Sequence, residues 1–226
     1  MEIGSAEWSQ LIIDGAASWG MALRSDHLRL FADHAQELLK WNAVTNLTAI
    51  TQPEDIAKNH FLDSLASAGL VTPGSNLLDI GSGGGFPGLP LHIFVPGLHT
   101  TLLDAARKKV SFLRHVARKL DLRNIEAVQD RVEGLAHQPG RVRHYDVIVS
   151  RAFSALDFFV RTALPLLKPN GRMVAFKAGI SPAELDDLQN AAGSGAFGAV
   201  LFLEVRYYAI AGLKSERALL VVGQST

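Results

Sequence analysis

The sequence predicts an α/β protein: a mostly parallel seven-stranded sheet with helices on both faces and an N-terminal helical extension. Three observations carry this reading. From Asn76 onward, short apolar runs alternate with amphipathic helical stretches, the pattern of right-handed βαβ units. The first run leads into five glycines and two prolines in "NLLDIGSGGGFPGLP", Asn76 to Pro90, the mark of a tight strand-to-helix turn. Before it, the first 70 residues hold helical spacing alone.

The elements follow in order. "SDHLRLFADHAQELLKW" opens on a Ser25/Asp26 cap and places Leu28, Phe31, Ala35, Leu38 and Leu39 on one helical face. "TQPEDIAKNHFLDSLASAGL" has Pro53 and two acids in its first turn and ends near Gly69. "VTPGS" then separates a helical cap, residues 1–72, from a sheet unit, residues 73–226. In that unit "NLLDI", "HTTLLDA", "NIEAVQD" and "YDVIVS" read as strands one to four. "KPNG" turns into a fifth, "RMVAFKA", and helices are expected over "ARKKVSFLRHVARKL", "SALDFFVRTALPLL" and Pro182 to Ala192. "AVLFLEVRYYAI" and "RALLVVG", joined by a short polar link, close the sheet as an antiparallel hairpin.

Composition narrows the class. The 226 residues contain no cysteine, which removes disulfides, thiolate zinc sites and cysteine nucleophiles. The eight histidines show no metal-ligand spacing, so no metal is expected. Acids stand where a signal peptide needs a basic region, and no apolar run approaches the ~18–20 residues that span a bilayer. A soluble cytoplasmic protein is expected. Formal charge is zero but unevenly spread: residues 100–180 hold 15 Lys/Arg against 7 Asp/Glu, and residues 1–75 hold 4 against 9. A basic middle in a neutral chain points to one positive face, which suits a polyanion, although solvated helix faces give the same count.

Doubly wound sheets bind ligands beyond the carboxyl ends of their strands, where the glycine turn lies. Gly83-x-Gly85-x-x-Gly88 matches the dinucleotide fingerprint literally, but that match alone is weak. It starts late after the strand, and Asp79 stands immediately before Ile80 and Gly81, where a carboxylate repels a pyrophosphate. An acid followed by Gly81, Gly83 and Gly85 suits S-adenosylmethionine better, because that cofactor presents an amino group and a sulfonium in place of phosphate. Asp104, ending the second strand, is placed to accept hydrogen bonds from both ribose hydroxyls. Val132 and Glu133, after the third strand, are placed to read the adenine edge. Ser150, Arg151, Ala152 and Phe153, after the fourth, face the expected position of the methyl group. Arg151 is read as a positioning residue and Phe153 as a ring that stacks on a base; a surface ion pair and a core aromatic are the plain alternatives. His60 and Asp63, three apart, read either as a lid over the pocket or as a hydrogen-bonded join between cap and sheet. Asn46 and Thr48 are turn and cap residues that also suit a pocket entrance.

The helix after Asp104 carries Arg107, Arg114 and Arg118 near one stripe, with Lys108, Lys109 and Lys119 beside it. Val110, Leu113, Val116 and Leu120 fill the other side. Such a stripe can hold RNA phosphates, and Arg123, Arg141 and Arg143 are placed to extend it. The residues alone leave open a methyltransferase for a small molecule or protein, a nicotinamide-dependent oxidoreductase, and an RNA-binding protein without catalysis.

Seven stretches together sharpen the reading: "KWNAVTNLTAI", "HFLDSL", "DIGSGGGFPGLPL", "LLDAARKKVSFLR", "DRVE", "SRAFSAL" and "GRMVAFKAG". With them, from about residue 40 to 180, the chain resembles the ribosomal RNA small-subunit methyltransferase G family (RsmG, also called GidB). The resemblance implies a Rossmann-like class I S-adenosylmethionine-dependent methyltransferase fold and transfer of a methyl group to N7 of a guanine in 16S rRNA. It implies cofactor contacts at Gly81, Phe86, Val132, Glu133 and Arg151. It also implies 16S rRNA or an assembling small subunit as partner; a monomer away from membranes is expected. Lys177, in "VAFKAG", departs slightly from the "ALKG" form of the family.

Overall fold

Along the first strand a period of two decides what lies on each side of the sheet. Leu77 joins one core, while Leu78 and Ile80 join the core on the other face. The computed structural model describes residues 1–151, 153, 155–195, 197, 202–214 and 216–223. Its strands are β1 (Asn76–Ile80), β2 (His99–Asp104), β3 (Ile125–Gln129), β4 (Tyr145–Ser150), β5 (Leu167–Lys177), β6 (Phe202–Tyr208) and β7 (Arg217–Gly223). They form one sheet in the order β3-β2-β1-β4-β5-β7-β6. β1 to β5 are parallel, and β7 runs antiparallel between β5 and β6, so the expected terminal hairpin is present. The chain order reverses between β1 and β4, which puts the switch point beside the glycine turn.

The helices are α1 (Ala6–Ala17), α2 (Ser25–Thr45), α3 (Pro53–Ile56), α4 (Asp63–Leu65), α5 (Gly88–Phe94), α6 (Arg107–Lys119), α7 (Val132–Ala136), α8 (Leu156–Ala163) and α9 (Pro182–Gly193). On one face, α2, α5 and α6 share a core with the cap: Trp8, Ile12, Phe31 and Phe61 pack in one cluster with Leu102, Phe112 and Val116. On the other, α7, α8 and α9 cover Leu78, Leu103, Ile148 and Met173.

Three expectations change. The cap of α2 is Arg24, not Ser25 or Asp26: the helix begins at Ser25, and the Arg24 amide donates back to Nδ1 of His27, 3.3 Å away. The helix expected across "AKNHFL" is widened into a π turn over Ala57–Leu62, where the Asp63 amide reaches the Lys58 carbonyl. "KPNG" is a kink inside β5 with Asn170 at φ 63°, and the β4–β5 register shifts between Tyr145 and Val147. Residues 199–201, where the sixth strand was expected to begin, lie outside the described residues.

Cap and sheet are further tied through polar groups. Glu37 of α2 is 6% exposed and accepts from Lys40 and from Nε2 of His115 on α6, both at 2.8 Å. The Lys40 hydrogen bond first, and that of His115 with it, holds this carboxyl down to about 2. Phe31→Ala should therefore weaken the whole chain, by about 3–5 kcal/mol. All three tryptophans lie in the cap, so their fluorescence reports on the cap and far-UV dichroism on the sheet. Urea unfolding of the variant should show both signals moving together to lower urea. A separate early fluorescence transition would show that cap and sheet do not unfold as one unit.

Candidate active site

The glycine turn uses its amides internally. Gly81 and Ser82 donate to the Leu103 carbonyl at 2.8 and 3.0 Å, and Gly83 donates to Oδ2 of Asp104 at 3.0 Å. Gly85 and Phe86 donate to the Ser82 carbonyl, Gly88 to Oδ2 of Asp79, and Leu89 to the Gly85 carbonyl. A phosphate cradle needs such N–H groups aimed at the ligand. Here all but the Gly84 amide are bonded within the fold, so the loop presents fewer donors than a dinucleotide site. Gly83 (φ 55°) faces open space, where a Cβ would meet nothing nearer than 3.8 Å. Gly84 and Gly88 are glycines for packing: a Cβ on the first would lie 2.8 Å from Leu38 of the cap, and one on the second 2.5 Å from Leu102.

Two carboxylates floor this turn. Asp79 is fully buried beneath the start of α5, with Oδ2 2.9 Å from the Gly88 amide and Oδ1 without a partner. Burial pushes its pKa up to about 7 against the opposing pull of the Gly88 hydrogen bond. Asp104 accepts from the Gly83 and Ala106 amides, at 3.0 and 2.8 Å, and so fastens the end of β2 to the turn. After β3, the Oδ1 of Asp130 accepts from Arg131 at 2.8 Å, and a Cβ on Gly134 would run into this carboxylate. α7 then begins with Val132 buried and Glu133 exposed.

Beyond β4, Arg151 turns to the cap. It donates to the carbonyls of Asn59 and His60 at 3.1 and 3.3 Å and to Oγ of Ser64 at 2.7 Å, and it pairs with Asp63 at 2.9 Å. Its guanidinium lies 5.0 Å from the centre of the Phe176 ring. Asp63, 3% exposed, also binds Arg217 and the Tyr208 hydroxyl, each at 2.6 Å. Burial first, and the Asp63 charge after it, raises the Tyr208 pKa, so the phenol stays a donor. Ile50, His60, Asp63, Arg151, Phe176 and Tyr208 are among the residues around a cavity of about 240 Å³. Ser150 bonds the Ile80 carbonyl at 2.7 Å, across the switch point. Phe153 is half-buried with its ring 5.1 Å from Phe159; Ala152 lies outside the described residues. Phe86 is 7% exposed and stacks with both His34 and His60 of the cap. Sequence reasoning missed His34, Ser64, Tyr208 and Arg217. The last two lie 145 and 154 residues from Asp63, and no local pattern signals such partners. Lys177 pairs with Glu184 at 2.7 Å.

On α6, Val110, Phe112, Leu113 and Val116 are buried, while Arg107, Lys108, Arg114 and Arg118 are exposed. Thirteen residues make a helix about 20 Å long. The stripe thus runs from Arg107, beside Asp104, to Arg118 at the opposite edge of the sheet. Arg114 spends its Nε–H on the Ala127 carbonyl of β3, 3.0 Å away, and Arg123 pairs with Asp121 at 2.9 Å. Arg141 does not extend the stripe: it is bound to Glu126 and the Tyr145 hydroxyl at 2.6 and 3.1 Å.

A family model described as rRNA small subunit methyltransferase G matches residues 27–201. The chain belongs to this family. A methyltransferase G relative from Geobacter sp. (strain M21) is 41% identical over 96% of this chain and 97% of its own length. One from Geotalea uraniireducens is 48% identical, covering 79% of this chain and 84% of the relative. Among solved structures, an O-methyltransferase from Bacillus cereus, in complex with SAH, aligns with a TM-score of 0.61 at 16% identity, over 96% of this chain and 99% of the other. A SAM-dependent methyltransferase from Aquifex aeolicus gives 0.54 at 17%, over 83% and 97%. These two likenesses concern the fold.

The turn of this family G chain fits S-adenosylmethionine on its own terms. Most of its amides are bonded within the fold, its floor is acidic, Gly83 is open, and Asp79 keeps an unpartnered oxygen. The raised pKa of Asp79 also has a consequence for stability. A carboxyl that binds its proton more tightly when folded adds stability below its unfolded pKa, about 3.9, and loses it as pH rises toward 7. Asp79→Asn removes that slope. Between pH 4.5 and 8, urea unfolding of the cofactor-free proteins should shift in favour of the variant, by roughly 3 kcal/mol. A difference that does not change with pH would show that Asp79 titrates normally.

Proposed function

We propose that this protein transfers the methyl group of S-adenosylmethionine to N7 of a guanine in 16S rRNA, acting in the cytoplasm as a monomer on the RNA or on an assembling small subunit. The observation that carries the reading is the juxtaposition at the carboxyl edge of the sheet. An acid-floored glycine turn that bonds most of its amides internally lies beside the start of an exposed basic helix face. Family membership supplies the reaction class, and no helix among the described residues is long and apolar enough to cross a membrane.

In this reading Asp104 takes the ribose hydroxyls with the lone pairs left after Gly83 and Ala106. Val132 and Glu133 meet the adenine, and Gly81, Gly83 and Gly85 let the backbone approach the methionine end over Asp79. When bound, S-adenosylmethionine supplies an electrophilic methyl group on a sulfonium. Guanine N7 carries a lone pair and no proton, so no side chain has to act as a base. The chain's task is orientation and exclusion of water. Arg151, locked to Asp63, Ser64 and the π turn, holds the cap against the β4 end and so fixes the wall of the base pocket. Phe153 offers a half-exposed ring to the base. Arg107, Lys108, Arg114, Arg118 and Arg123 attract phosphates, with Arg107 and Lys108 nearest the site. RNA shape and an unstacked base then supply the specificity.

Incubation with methyl-labelled cofactor and undermethylated small-subunit RNA should place the label on a single guanine N7. Cofactor binding without label at N7 would contradict the assignment. Asp104→Ala should weaken S-adenosylhomocysteine binding by roughly 1–3 kcal/mol, the scale for lost hydrogen bonds to a charged group. Unchanged affinity would remove Asp104 from the ribose site. Replacing Arg107 and Arg118 with alanine should weaken RNA binding and lower its salt slope by about 1–2. If cofactor affinity fell instead, α6 would not be the RNA face.

A further inference from the structure

The loop that is read as the cofactor site does not stand on the sheet alone. The ring of Phe86, next after the glycines, is stacked by two imidazoles of the cap. His34 of α2 lies 4.7 Å away at 20°, and His60 of the π turn 4.3 Å away at 13°. Phe61 closes the side edge-on at 5.4 Å. Nε2 of His34 is 2.8 Å from the Gly84 carbonyl. A carbonyl only accepts, so Nε2 carries the proton and donates it there. Nε2 of His60 is 3.0 Å from Oγ1 of Thr48, and this hydroxyl in turn accepts from the Ile50 amide at 3.0 Å. The loop backbone is fitted to the same surface, since a Cβ on Gly85 would stand 3.2 Å from His34 Nε2.

Plain packing does not account for the imidazole at position 34. Nδ1 of His34 and Nδ1 of His60 are both buried without a partner, and an unmade hydrogen bond in the interior is costly. Burial holds both pKa values down, to about 4 and about 3, so both rings are neutral at pH 7. A phenylalanine or leucine would fill the space without leaving a bare nitrogen. What an imidazole adds at position 34 is a directed bond to the loop backbone. What His60 adds is location: one side of its ring lies on Phe86, and the residue also lines the 240 Å³ cavity with Asp63 and Arg151.

We propose that His34 and His60 are positioning residues of the methyl-transfer site, clamping Phe86 so that the glycine turn, the pocket wall and the cap become ordered together when cofactor binds. The proposal rests on the cofactor reading above. The clamp joins a cap element to a loop more than 20 residues away in sequence, and His60 is the one ring in it that touches both the loop side and the cavity side. Cofactor affinity then depends on the cap, although no cap residue has to touch the cofactor.

Hydrogen exchange of the unaltered protein with and without S-adenosylhomocysteine tests this directly. Protection should rise in residues 31–37 and 57–63 as well as in residues 81–88; protection confined to the loop would overturn the proposal. Calorimetric titration of variants gives the second readout. His60→Ala should raise the dissociation constant at least tenfold, whereas His60→Phe, which keeps the stack and loses the Thr48 bond, should stay within threefold of the parent. Ile12→Val, in the same cap core but away from the stack, should lower the thermal midpoint and leave the dissociation constant within twofold. Affinity within threefold for His60→Ala, or an equal loss for Ile12→Val, would overturn the clamp and leave the cofactor reading intact. An unaltered protein that binds no S-adenosylhomocysteine would overturn both.

Discussion

The bond from the Gly88 amide to the buried carboxylate of Asp79 holds the carboxyl edge of the sheet together. It closes the glycine turn from below, sets the start of α5, and leaves one carboxylate oxygen unpartnered in the interior. Such a group destabilises the empty protein, because burial disfavours its charged form. A cation bound above the turn changes that balance, since an opposite charge nearby favours the carboxylate. The acid that keeps pyrophosphate away is in this account the acid that makes a sulfonium welcome. The inward-bonded amides of the turn and its acidic floor thus act in the same direction.

The cap is the second part of the same construction. It shares its core with α6 and β2, grips the turn through Phe86, and reaches β4 and β7 through Arg151, Arg217 and Asp63. The π turn over Ala57–Leu62 brings the Asn59 and His60 carbonyls within reach of Arg151. One buried carboxylate serving two guanidiniums and a phenol is a costly arrangement, and losing Asp63 would leave the guanidiniums uncompensated. Buried polar networks of this kind specify one geometry, which suits catalysis by orientation.

Much of this was legible in the residues. "NLLDI" and "YDVIVS" became β1 and β4 with the expected bounds, and the basic and apolar sides of α6 followed from its helical period. The terminal hairpin and the parallel order followed from alternation and connection lengths. Other features had no local signal. At the start of α2, the imidazole of His27 accepts from the cap residue's amide, a place that capping boxes usually give to Glu or Gln. The π turn reads as an ordinary helix, and two partners of Asp63, Tyr208 and Arg217, lie 145 and 154 residues further along the chain. The glycines were read for backbone freedom, which holds for Gly83; Gly84 and Gly88 are small because Leu38 and Leu102 need the room. Arg141 read as part of a positive face because charge counts ignore pairing, and Glu126 takes it.

Selection of a cation over a pyrophosphate at the glycine turn is the claim on which the rest stands. Competitive titration decides it: S-adenosylmethionine and NADH are each titrated into the protein alone, then together, and heat or fluorescence is followed. The account predicts saturable binding of S-adenosylmethionine, undisturbed by an excess of NADH. Binding of NADH, or its displacement of S-adenosylmethionine, would contradict it.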